Sequence, residues 1–181
     1  MILSDKSILN KTKKLIEKDK DISKKEKEKR IKVVEDIIKI KDKEERYSKL
    51  YDLICDYLDE EFIVRNVCGF KNNLCSRRQC MIEKGIKKDT YINGCCHSYK
   101  EGKDCEHLKN GRCSIKNIAC KTYTCPHLKL QGKRYSINKI YFAKYFFNIR
   151  QKFYMQNTYF VDKDIVLKGI LERMWYSGRH L

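Results

Sequence analysis

The sequence predicts a mainly α fold in which N- and C-terminal helices flank an irregular, cysteine-rich zone. Apolar residues recur at helical spacing over residues 1–66 and again over 135–181. Nine of the ten cysteines, most of the glycines and the single proline fall between those two regions. The helical period disappears there, as it does in loops and turns. At 181 residues the chain is long enough to bury an apolar core. The expected arrangement is one compact unit, with helices of 135–181 packed on those of 1–66 and the zone 67–134 between them in sequence.

Each region has its own pattern. In KKEKEKRIKVVEDIIKIK, Ile31, Val34 and Ile38 share one helical face among charges, and Glu26 and Arg30 are spaced for an i,i+4 ion pair. In RYSKLYDLICDYLDEEF, Tyr47, Leu50, Tyr51, Ile54 and Leu58 form the buried stripe, and Cys55 lies on it as a small buried apolar residue. In SINKIYFAKYFFNIRQKFYMQN, Phe142, Phe146, Ile149 and Phe153 make an apolar stripe opposite Lys144, Asn148 and Gln151. That spacing favours packing over a base-stacking platform. Asp162 is placed to cap a last helix that turns Leu167, Ile170, Leu171 and Met174 inward, with Trp175 beside them.

The N-terminus has no apolar run of signal-peptide length, and no segment approaches the roughly 20 apolar residues of a membrane span. The expectation is a soluble, cytoplasmic protein with no membrane contact. Thiols stay reduced in that compartment, so dense cysteines point to metal or redox chemistry before a disulfide framework. The spacing adds an internal repeat. CGFKNNLCSRRQC (Cys68 to Cys80) and CSIKNIACKTYTC (Cys113 to Cys125) both read C-x2-K-N-x2-C-x4-C, with Lys71/Lys116 and Asn72/Asn117 in register. The Lys-Asn pair suits a tight turn between the first two cysteines of each loop, since Asn tolerates the left-handed conformation. CEHLKNG and CPHLKLQG form a second echo.

Cys68, Cys75, Cys80, Cys95, Cys96, Cys105, Cys113, Cys120 and Cys125 are the candidate metal ligands. Nine thiols can fill two four-ligand sites with one to spare, or one multinuclear cluster. The C-x2-C pairs usual for zinc are absent, and iron–sulfur spacings vary widely, so zinc and iron both stand. Adjacent strand residues face opposite ways, so Cys95 and Cys96 suit different centres unless the backbone kinks. His97, His107 and His127 lie beside thiols, where a supporting hydrogen bond or plain exposure is the commoner role than ligation. The zone is therefore expected to be metal-organised.

The net charge of +17 divides unevenly: +6 over residues 1–49, −4 over 50–67, +10 over 68–134 and +5 over 135–181. Thiolates holding metal would offset part of the excess on the cysteine zone.

The run GCC, then C-x-HL-x-NG-x-C, then AC-x4-C resembles the YkgJ-like cysteine-cluster family, a zinc- or iron-chelating domain that also includes the cysteine-rich part of flagellin lysine N-methylases. The resemblance spans Cys80 to Cys125, about a quarter of the chain. It implies a bound metal or cluster and implicates Cys80, Cys95, Cys96, Cys105, Cys113, Cys120 and Cys125. The family's C-x2-C-x2-CC run is missing, because 14 residues separate Cys80 from Cys95.

The leading expectation is a cytoplasmic metal-binding protein holding zinc or an iron–sulfur cluster. One alternative is a cluster-dependent protein-modifying enzyme of the lysine N-methylase kind, although no G-x-G-x-x-G, Walker A or G-x-S-x-G run supplies a cofactor site or nucleophile. Catalytic residues are not assignable. Another alternative is a metal-organised nucleic-acid binder using Arg77-Arg78, Lys87-Lys88 and Lys133-Arg134, against which a solvated basic surface is favoured. A protein partner stays open, and thiol exchange lacks the C-x2-C spacing that lowers a thiol pKa.

Overall fold

The computed structural model describes residues 4–71, 74–85, 105–109 and 112–172. Its elements, in order, are α1 (Asp5–Glu17), α2 (Lys24–Lys39), α3 (Lys43–Arg65), α4 (Ser76–Glu83), β1 (Leu108–Lys109), β2 (Arg112–Cys113), α5 (Ile118–Thr122), α6 (Pro126–Leu130), α7 (Ile149–Asn157) and α8 (Lys163–Leu171). A short 3-10 turn covers Ile137–Lys139. The mainly helical expectation holds among the described residues.

The first three helices begin where a short polar side chain can take up a free N–H. Ser4, Ser23 and Asp42 accept from the backbone of Ser7, Glu26 and Glu45. α3 is the centre of the core: Tyr47, Leu50, Tyr51, Ile54, Cys55 and Leu58 are all buried. They meet Ile8 of α1, Val34 and Ile37 of α2, Ile118 of α5, Met155 of α7, and Val166 and Ile170 of α8 in one continuous cluster. Cys55 is thus a core residue, as expected. Arg46 fastens the N-terminal helices by donating to the carbonyls of Ile38 and Ile40 and pairing with Asp5 at 2.8 Å. The Glu26–Arg30 pair forms at 3.0 Å.

The region after 135 departs from the single-stripe expectation. Residues 141–147 follow turns, and a helix starts only at Ile149. Asn148 and Gln151 close a reciprocal capping box there, which resets the helical phase. Phe142 and Phe146 are buried, whereas Ile149 is 85% and Phe153 57% exposed. Four aromatic or aliphatic residues at helical spacing therefore serve two different segments. Asp162 does precede α8, but its side chain makes no capping bond. Leu167 and Ile170 are buried and Leu171 packs at the cluster's edge, while Met174 and Trp175 lie outside the described residues.

α8 lies close on α7 at Gly169. A Cβ added there would come within 2.4 Å of the Tyr154 ring, so only glycine lets the two helices approach this far. Gly169→Ala is expected to cost about 1–3 kcal/mol through overpacking, read as a lower thermal midpoint. Truncating the obstacle, in Tyr154→Ala/Gly169→Ala, is expected to make the glycine change nearly neutral; a full Gly169→Ala penalty in that background would contradict the account.

The zone 67–134 is more regular than expected. It holds α4, α5 and α6 and an antiparallel pairing of Leu108 with Cys113 and Lys109 with Arg112. Nor is it detached from the apolar core, since Ile118 and Ala119 are fully buried. The reason is chemical: ILE-ALA at 118–119 is an apolar insertion into a polar zone, and burying it recovers about 25 cal/mol per Å². Among the described residues no helix is long and apolar enough to cross a membrane.

Candidate thiol centre

α3 ends at Asn66, which adopts the left-handed conformation (φ 39°) and accepts from Phe70 N–H at 2.9 Å. Lys71 and Leu74 exchange reciprocal backbone bonds of 2.9 Å; the tight turn expected at Lys71-Asn72 rests on Asn72, which with Asn73 lies outside the described residues. Cys75 then caps α4, its sulfur accepting from Arg78 N–H at 3.4 Å. Cys68 sits against the same helix start, because its carbonyl accepts from Ser76 N–H at 2.9 Å. Cys80 lies on α4 itself and is half-buried.

The second repeat adopts a different backbone. Asn117 does not turn left-handed; it is extended (φ −133°) and caps α5, with its side chain accepting from Cys120 N–H at 2.9 Å. The expected left-handed turn fails here because the residue has a better use. Asn117 is fully buried, and its amide also donates to the carbonyls of Thr158 and Val161 at 2.9 and 3.0 Å. Cys113 lies on β2, Cys120 in α5, and Cys125 precedes Pro126 at the start of α6. Cys105 is buried just before β1. Cys95, Cys96 and His97 lie outside the described residues, as do Asn72, Lys87 and Lys88.

Two sets of thiols emerge. Cys75 and Cys125 lie within electrostatic reach of each other, as do Cys105, Cys113 and Cys120. Burial pushes the thiols of Cys75 and Cys113 upward, and that of Cys120 up to about 12. Opposing main-chain N–H groups point at the same sulfurs: Arg78 and Arg77 at Cys75, Ile115 at Cys113, and Phe160 at Cys120. Phe160 delivers its N–H from the α7–α8 connection in a left-handed conformation (φ 57°), which costs a non-glycine residue energy.

A cation completes the second set. The Lys121 side chain is 2% exposed, pairs with Asp59 of α3 and donates to the Cys113 carbonyl at 3.2 Å. Its charge favours the thiolate forms of Cys55, Cys113 and Cys120. It belongs to a wider pattern. Asp52, Asp56 and Asp59, on one face of α3, receive Lys163, Lys116 and Lys121 respectively. Part of the zone's positive excess is therefore spent inside the molecule, on the acidic segment 50–67. Sequence reasoning missed Lys121 and Phe160. The one available signal for Lys121 was a lysine inside the apolar run IACKT facing an i, i+4, i+7 row of aspartates.

His127 bonds Gln131 at 3.0 Å on the exposed side of α6, and His107 is half-buried beside Glu106. Among the described residues, no three His, Cys, Asp or Glu side chains converge closely enough to hold a metal ion. The donor chemistry nevertheless suits a thiolate-binding metal: sulfurs with main-chain N–H partners and a buried ammonium nearby.

The alkaline behaviour of the metal-free chain follows from the buried thiols. Burial raises Cys55 to about 12, against 9.0 for an ordinary thiol, with Lys121 opposing the shift; Cys120 is raised as far. The fold favours the neutral thiol, so this stability is fully present below pH 9 and is lost as pH rises toward 12. Tyr141, also pushed up to about 12 by burial, acts in the same direction. Urea midpoints should fall steadily from pH 8.5 to 11, and Cys55→Ala should flatten part of that slope; an unchanged midpoint across the range would contradict it.

No family model, no curated protein and no solved structure matches this chain.

Proposed function

We propose that this chain is a metal-binding protein that holds zinc or an iron–sulfur cluster through its cysteine zone. The observation that carries the proposal is the direction of the main-chain donors. Burial holds the thiols of Cys75, Cys113 and Cys120 neutral in the metal-free chain, and N–H groups from three separate segments are directed at the same sulfurs, partly offsetting that burial in favour of the thiolate a metal would bind. Lys121 adds a buried positive charge where thiolates would gather. The likeness of the Cys80–Cys125 segment to the YkgJ-like family supports the same proposal.

Bound zinc would fix four thiolates tetrahedrally and contribute folding free energy, while an iron–sulfur cluster would add a one-electron redox step. The chain's own contribution is to present sulfurs from α4, β2, α5 and the start of α6, and to hold counter-charge beside them. Metal binding at one structural site contributes on the order of 10 kcal/mol to folding. Elemental analysis of anaerobically purified protein should therefore find zinc or iron. Chelation should release it and disorder 67–134 while the α1–α3 helices persist, seen as a partial loss of helical circular dichroism. A metal-free protein with an undiminished spectrum would sink the proposal.

A further inference from the structure

We propose that Lys11 and Lys14 of α1, with Lys139, Lys144 and Lys152, form a surface that binds the phosphate backbone of a nucleic-acid duplex without reading its sequence. None of these residues belongs to the cysteine zone 67–134, so the inference stands independently of the metal-binding function.

The charge pattern sets this surface apart. From His107 to Val161 the chain contains no Asp or Glu, while Lys and Arg recur throughout. Within that run, Lys116 and Lys121 find their counter-charge across the fold, on Asp56 and Asp59 of α3. The later lysines do not. Among the described residues Lys139, Lys144 and Lys152 pair with no carboxylate, and neither do Lys11 and Lys14, although Lys13 between them reaches Glu35 at 2.9 Å.

Direct contacts join these cations. The Tyr145 ring has the Lys11 ammonium at 6.0 Å and the Lys144 ammonium at 5.4 Å from its centroid, which brings α1 against the segment 141–147. Lys152 of α7 donates to the Lys144 carbonyl and, at 2.8 Å, to the Asn138 side chain, one residue before Lys139. The like charges are felt: burial, and after it the Lys144 charge, hold the Lys152 pKa below that of an ordinary lysine. A bound anion offsets the second cause. On α1, Lys11 and Lys14 are both exposed and three positions apart on one face, away from the buried row Ile8, Thr12 and Ile16.

A series of cations along a surface fits an extended polyanion. All five are lysines, point charges that meet phosphate oxygens without the planar fork through which arginine makes paired contacts. Tyr145 is half-buried and its ring is already engaged by two ammoniums, so it is no platform for an unstacked base. The chemistry therefore favours the backbone of a duplex over a single strand.

Fluorescence anisotropy of a labelled, mixed-sequence DNA duplex with the full, reduced chain tests the proposal. With one phosphate neutralised by each of the five lysines, the slope of log Kobs against log salt is expected to be about −4.5, a loosening of roughly 500-fold between about 50 and 200 mM. Lys11→Gln/Lys14→Gln/Lys139→Gln removes three exposed charges and should bring the slope to about −1.8. Lys29→Gln/Lys41→Gln/Lys49→Gln, an equal change in net charge at exposed positions elsewhere, should leave it near the wild-type value. In the wild-type chain, bound duplex should shield Lys11, Lys14 and Lys139 from acetylation and leave Lys29, Lys41 and Lys49 reactive, a readout independent of any variant. Equal losses of slope in the two triple variants, or shielding spread over both groups of lysines, would reduce the effect to attraction by net charge and overturn the proposal. So would an absence of duplex binding at about 50 mM salt. Tighter binding to vesicles of phosphatidylserine and phosphatidylcholine than to the duplex at matched salt would overturn it too, and assign the surface to a lipid partner.

Discussion

Asn117→Ala is expected to lower stability by about 3–5 kcal/mol, the largest single-residue effect outside the apolar core. Three hydrogen bonds of 2.9–3.0 Å end on this one side chain, which has no solvent exposure. Each is worth about 1 kcal/mol net, but truncation leaves the Cys120 N–H and the carbonyls of Thr158 and Val161 without those partners, and an unsatisfied buried group costs about 1–3 kcal/mol. The loss also spreads. Thr158 and Val161 bracket Phe160, whose N–H points at the Cys120 sulfur. Releasing that connection should weaken the support of the second thiol set along with the α5 cap. Asn117→Asp is the sharper variant, because it keeps the capping acceptor but faces two carbonyl oxygens with a buried carboxylate. It should be no better than alanine. Urea denaturation of both variants reads the effect, and a shift below about 1 kcal/mol for either would remove Asn117 from this role.

Lys121→Ala is expected to cost about 3 kcal/mol. Removing one partner of a buried ion pair costs about 3–5 kcal/mol, and the low end applies because Asp59 is 41% exposed and can rehydrate. Lys121→Met should restore much of the lost packing, since the side chain keeps its length. Metal retention is expected to separate the two contributions. If the ammonium supports thiolates at Cys113 and Cys120, methionine should still weaken metal binding 10–100-fold, as loss of a residue supporting ligands typically does. Competition against a chromogenic chelator measures this directly. Equal metal affinity in Lys121→Met and the wild type would confine Lys121 to a structural role.

What could be foreseen from sequence follows physical range. α2, α3, the burial of Cys55 and the Glu26–Arg30 pair depend on local periodicity, and local periodicity is visible in a string of residues. The stripe from Phe142 to Phe153 misled for the same reason: the spacing is helical, but Asn148 and Gln151 restart the helix between its halves. The cysteines could be nominated because their residue type announces their chemistry. Where the backbone carries them could not, since that depends on Lys133 reaching Val67, on the β1–β2 register and on α5 docking against α3. Phe160 lies 40 positions from Cys120 and acts through its backbone, where no side-chain pattern can mark it.

The two thirteen-residue repeats match without a gap, yet Cys75 stands at the entrance to a helix while its counterpart Cys120 stands inside one. A fixed interval between cysteines limits how far apart two sulfurs can be, and says little about the path between them. Descent from a duplicated segment would then preserve the interval while the intervening backbone drifted. The residues between the thiols are the freest part of such a chain to change, provided that they keep the distance.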